Sequence, residues 1–145
     1  MVPILSGRLQ TRLVVLGLVG LLWTLLVTPL LALGGDLGAT YRATLFGWGA
    51  TLLLGLVLWE PLYHGLMQFR WEKDWPTLFG LLTGINEGIL TWIVLQQLSL
   101  PVNVEMGPLG FTIDFTVVWL CTFLFVNGPM RVLFIRWRFN GGRIF

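Results

Sequence analysis

The sequence predicts an all-α integral membrane protein: four transmembrane helices joined by short loops, with the N and C termini both cytoplasmic. Three observations carry this. Of 145 residues, 56% are hydrophobic and only 11% charged, against about 25% charged in a soluble domain. The mean hydropathy is +0.82. The apolar residues fall in four long runs, each near the ~20 residues a helix needs to cross hydrocarbon. The basic residues gather on one side of those runs, which the positive-inside rule assigns to the cytoplasm. Runs of this length do not suit a membrane barrel, whose strands alternate between lumen and lipid. One domain, residues 1–145, is expected.

The first span is expected at residues 13–33, a stretch without charge. Arg8 and Arg12 precede it. It ends in Leu31-Ala32-Leu33-Gly34-Gly35 without a small-residue cleavage pattern, so it reads as a retained signal anchor. Gly34 to Arg42 reads as a short outer loop. The second span is expected at 43–69, apolar to Trp59 and less clean beyond. Arg70 to Pro76 then forms a tight turn of mixed charge. Pro76 suits the first position of a helix. Glu72 and Asp74 lie just before that helix's positive end, where acids are favoured.

The third span is expected at 76–98. Ser99 to Gly110, with two prolines and two glycines, reads as an irregular outer loop. The fourth span is expected at 111–135, with a bend near Asn127-Gly128-Pro129. Asp114 at its start is expected to snorkel outward. Eight basic residues (Arg8, Arg12, Arg70, Lys73, Arg131, Arg136, Arg138 and Arg143) fall on the cytoplasmic side, and Arg42 alone on the other. Trp71, Trp75 and Trp137 suit the cytoplasmic interface, while Trp48, Trp92 and Trp119 fall nearer the outer leaflet.

Several function classes find no support. Cys121 is a lone cysteine within an apolar run and reads as packing. A net charge of +2 argues for no nucleic acid partner. The only serines are Ser6 and Ser99, and no G-x-S-x-G, P-loop, dinucleotide fingerprint or H-E-x-x-H occurs. One histidine is too few for the usual zinc or iron sets. No cofactor and no metal are expected.

The informative residues lie inside the spans. Gly80, Gly84 and Gly88 recur every fourth residue. Small-xxx-small stripes let helix backbones approach closely. Glu87 and Thr91 project on the same side, while Leu78, Leu82, Ile85 and Ile89 take the opposite side, which suits lipid. A carboxylate in hydrocarbon costs roughly 2.5–3.5 kcal/mol at a helix centre, so Glu87 should be screened by protein. Gly47, Thr51 and Gly55 make a second stripe, and Gly20, Thr24 and Thr28 a weaker third. Glu60 and His64 are one turn apart and can touch, and Pro61 between them should bend the helix. Glu60, His64, Asn86 and Glu87 are therefore expected to form an intramembrane polar cluster.

The leading expectation is a non-enzymatic structural or assembly subunit of a larger complex in the cell (inner or plasma) membrane. Its partners would be membrane lipids and other integral membrane subunits, or copies of itself. Arg70, Lys73, Arg131, Arg136, Arg138 and Arg143 would meet anionic headgroups or a partner. The alternative is an oligomeric channel or proton-coupled transporter using Glu87 with Glu60 and His64. A lipid-modifying enzyme using the same acids is a weaker third.

Overall fold

A computed structural model describes residues 3–72, 76–98 and 106–145. Four long helices dominate: α1 (Leu5–Leu31), α2 (Leu37–Gln68), α3 (Thr77–Gln97) and α4 (Gly107–Asn127). Two short helices follow, α5 (Pro129–Leu133) and α6 (Ile135–Phe139). The first three helices, and α4 taken together with α5, are each long and apolar enough to cross a membrane. Among the described residues there is no strand.

The helices pack in a ring. α1 lies against α2 and α4, and α3 closes the ring by lying against the same two. Neighbours run antiparallel, as short connections require. The Thr28 and Thr44 hydroxyls meet at 2.8 Å near one end of the α1–α2 pair. Further along, Trp48 Nε1 donates to the Leu16 carbonyl at 2.8 Å.

The α3–α4 contact shows how the small residues are used. Gly84 lies under the Trp119 indole and Gly88 under the Phe115 ring, so tightly that a β-carbon at either would overlap an aromatic ring. Glycines four apart on α3 thus receive aromatics four apart on α4. Phe115 and Trp119 stack at 5.8 Å, Phe111 and Phe115 at 5.7 Å, and Trp92 closes on Phe111 at 5.0 Å. Gly47 of α2 faces Phe111. Leu18, Leu22, Leu26 and Leu30 of α1, with Leu78, Leu82, Ile85 and Ile89 of α3, point outward.

The helix ends differ from the sequence reading in ways that have causes. α1 begins at Leu5 rather than 13, so Arg8 and Arg12 are helical and face inward. α2 begins at Leu37 rather than 43. Asp36 caps it by accepting from the Gly38 backbone N–H at 2.9 Å, satisfying one of the free N-terminal donors. The loop between α1 and α2 is correspondingly short. α4 ends at Asn127, and Gly128 with Pro129 breaks the helix before α5. The turn residues Lys73, Asp74 and Trp75, and most of the proline-rich loop (99–105), lie outside the described residues.

Two helices contain a widened turn. α1 is π-helical over Val15–Gly20 and α2 over Gly55–Trp59. The second runs straight into Glu60 and Pro61, so the missing proline donor is absorbed by the π-turn within a continuous helix rather than by a break. A π-turn leaves backbone carbonyls in need of partners, and Trp48 supplies one to Leu16.

The C-terminal segment folds back on the start of α1. Ile4 N–H donates to the Gly141 carbonyl at 2.9 Å, Thr11 Oγ1 to the Gly142 carbonyl at 3.0 Å, and Ile144 N–H to Gln10 Oε1 at 3.0 Å. Gly141 and Gly142 have φ of +61° and +85°, the left-handed region open to glycine. Gly7 has no side chain because the Gly141 carbonyl occupies that space. Trp137 is correspondingly buried with Val15 and Met130 and donates to Thr11 Oγ1 at 2.7 Å. It is a packing residue here, not an interfacial anchor.

Candidate functional site: a buried charge centre beneath a cavity

The sequence placed two carboxylates inside the spans and left them without a cation. The fold supplies one from α1. Arg12 Nη2 donates to Glu87 Oε2, and Nη1 reaches Glu87 Oε1 at 3.3 Å and Glu60 Oε1 at 2.9 Å. Arg8 Nε donates to Glu60 Oε2 at 2.7 Å. Two arginines and two glutamates, drawn from α1, α2 and α3, balance to zero formal charge.

Arg12 and Glu60 are 8% exposed and Glu87 is 1% exposed. Unpaired, such groups would each cost several kcal/mol of desolvation. Paired through charge-assisted hydrogen bonds they become tenable, because a guanidinium fork matches carboxylate geometry.

Each helix is adapted to this meeting. Arg8 and Arg12 are one turn apart and share a face. The guanidinium of Arg12 crosses α2 at Gly55, where a β-carbon would overlap it. Its other face is covered by Trp119, the guanidinium carbon lying 5.9 Å from the ring centroid, within cation–π range. Gly84 in turn makes room for Trp119. The Gly55 and Gly84 positions, read from sequence as helix contacts, thus serve the charge centre.

Above the centre, towards the end that carries both termini, lies a cavity of about 460 Å³. Arg8, Arg12 and Glu60 line it, together with Trp119, Asn127 and Arg131. Gly80, at the start of α3, borders the same space. Its volume falls in the range of small-molecule sites, about 300–1,000 Å³. Arg131 Nη2 donates to Asn127 Oδ1 at 2.8 Å.

Beyond the centre is a second, smaller void of about 10 Å³, of single-water size. Asp114, Thr24 and Thr51 line it. Asp114 does not snorkel: it is 4% exposed, and its Oδ1 has no protein hydrogen-bond partner. Leu16 and Trp119 line both the cavity and this void. The rest of the void is mostly apolar, with Phe111, Phe115 and Val118 beside Asp114. Thr28, Thr44 and Thr91 are also fully buried.

Two residues of the expected cluster stand apart from it. His64 does not pair with Glu60, which turns to the arginines; its Nε2 lies 3.5 Å from Gln68 Nε2. Asn86 is exposed on the outer side of α3, because one residue is a rotation of about 100° and Glu87 takes the inward position. Trp119 belongs to the charge centre, where its ring meets the Arg12 guanidinium. Among the terminal cations, Arg136, Arg138 and Arg143 are exposed, and Arg143 Nε lies 3.3 Å from Ser6 Oγ. Arg70 lies 3.7 Å from Glu72. Among the described residues no three His, Cys, Asp or Glu side chains converge on a metal site.

Arg8, Arg12 and Asp114 are the residues sequence reasoning missed. The signal for Arg12 was present: two intramembrane acids require a cation, and Arg12 lies the right distance along an antiparallel neighbour of Glu60. Neither the sequence nor the fold brings outside help to this site, since comparison with family models, curated proteins and solved structures found no match.

Proposed function

We propose that this chain spans the cell membrane with both termini in the cytoplasm and moves protons, alone or with a small polar solute, through its helix bundle. One observation carries the reading. A ligand-sized cavity above the Arg8–Arg12–Glu60–Glu87 centre and a small void at Asp114 adjoin each other, with Leu16 and Trp119 lining both. Buried ionisable groups in neighbouring spaces are what a proton relay uses, and Thr24 and Thr51 line the void at Asp114. The π-turns beside Arg12 and before Glu60 add support, since such turns recur at functional sites.

The chemistry is a transfer of protons between carboxyl groups. Glu60 and Glu87 both accept hydrogen bonds from Arg12. Asp114 Oδ1 has no protein hydrogen-bond partner, and Asp114 is the group suited to accept and release a proton. A solute entering the cavity would compete with Glu60 for Arg8 and Arg12, and so couple its binding to the protonation of the acids. The test is flux in proteoliposomes under an imposed pH gradient. Wild-type protein should dissipate the gradient faster than empty liposomes, and Asp114→Asn should slow that flux at least tenfold while eluting as folded protein. Wild-type flux equal to empty liposomes would overturn the reading.

A second reading, a non-enzymatic subunit of a membrane assembly, is favoured by a different observation. The glycine faces of α2 and α3 are spent inside the bundle and do not serve it. Asn86, however, sits exposed among Leu82, Ile85 and Ile89, where a carboxamide calls for a partner helix.

A further inference from the structure

The outer face of α3 carries a regular seam. Leu82, Asn86, Ile89, Ile93 and Gln96 are all exposed and are separated alternately by four and three residues. This is the a/d spacing of a two-stranded coiled coil, with Asn86 and Ile93 at a and Leu82, Ile89 and Gln96 at d. The inner side of the same helix is already used by Gly84, Glu87, Thr91 and Leu95, all buried in the bundle. α3 therefore has two contact faces, and one has no partner in the monomer.

The composition of the free face says what fits it. Leu82, Ile89 and Ile93 are 47%, 57% and 48% exposed and by themselves are as content with lipid as with protein. Asn86 is not. Its carboxamide lies at the middle of α3, about 15 Å from either end at 1.5 Å per residue. There it offers two donors and an acceptor to a medium that cannot answer them.

We propose that Asn86 is answered by Asn86 of a second copy, in a homodimer whose two α3 helices run parallel along this seam. The argument is one of symmetry. Copies inserted in one membrane share an orientation, so a two-fold axis along the membrane normal sets α3 beside α3 in parallel. In a parallel pair each seam residue meets its own counterpart. A carboxamide donates and accepts and is therefore complementary to itself. Gln96 repeats the match about 15 Å further along. A single Asn at an a position fixes register and favours two strands. A different partner would have to present its own amide at the same depth.

The inference rests on the assembly reading and on insertion in the membrane; it needs nothing of the transport reading. The test is disulfide trapping in native membranes. Single cysteines replace Leu82, Ile85, Asn86, Ile89 or Ile93 in a Cys121→Ala background, and a mild oxidant is added. Alkaline extraction of the same membranes reports insertion. Dimer-sized product is expected at 82, 86, 89 and 93. It should be weak at Ile85, which is 61% exposed but lies off the seam. In an energy-transfer assay at increasing lipid dilution, Asn86→Leu should weaken dimerisation about three- to thirtyfold, the range typical of interhelical polar contacts. That residue is exposed, so the bundle should fold unchanged. Equal trapping at Ile85 and Ile89, or wild-type affinity in Asn86→Leu, would overturn the seam. Adducts to other proteins only would overturn self-pairing but leave the assembly reading standing. Monomer alone, with no co-purifying membrane chain, would overturn both.

Discussion

At the scale of single residues, the energetic weight of this molecule sits on Arg12. It holds Glu87 and Glu60 while its flat face rests on Trp119. Removing one member of a buried pair strands the other, at about 3–5 kcal/mol. Arg12→Met should therefore lower the unfolding free energy in detergent by about that amount. Gly55 depends on the same guanidinium. Gly55→Ala should cost about 1–3 kcal/mol through overpacking, but much less in an Arg12→Ala background, where the space is free. Thermal or denaturant titration of the four proteins would read that difference. Arg12 was not legible as a site residue because hydropathy treats a cation before an apolar run as a flank. Only a count of charges, two buried acids against a cation at matching depth, exposes it.

At the scale of elements, the helices were legible because their signals are long and redundant. Four apolar runs survive errors of several residues at each end, and the glycine spacing on α3 marked the side that meets Trp119 and Phe115. Helix starts were less legible. Asp36 is a good cap, but hydropathy does not see caps, and Arg42 lies within α2. The fold-back of the C-terminal segment was invisible, since Arg136-Trp137-Arg138-Phe139 reads equally as an interfacial belt and only the segment's contacts with Ile4, Gly7, Gln10 and Thr11 decide otherwise. This contact makes a prediction at its own scale. Trp137→Phe removes a 2.7 Å hydrogen bond and leaves part of the buried indole's space empty. It should cost about 1 kcal/mol for the bond and more for the cavity, and speed proteolysis of residues 141–145 in the folded protein. Gly84→Ala acts on a different element pair. It should loosen α3 from α4, displace Trp119, and destabilise by about 1–3 kcal/mol.

At the scale of the whole molecule, the bundle sets an open cavity beside a small void, with Leu16 and Trp119 lining both. On the transport reading, a gate belongs at those two side chains. Leu16 is 5% exposed and borders both spaces, so Leu16→Ala should raise passive proton leak in proteoliposomes several-fold while keeping the charge centre intact. The centre itself underlies the transport reading, and a thermodynamic cycle tests it most directly. Unfolding free energies would be measured for wild type, Arg12→Met, Glu87→Met and the double variant in one detergent. The pairing predicts that each single change is costly and that the double variant recovers at least about 2 kcal/mol relative to the sum, since replacing both partners removes the stranded charge. Strictly additive losses would mean that Arg12 and Glu87 do not meet, and the account of the site would fail.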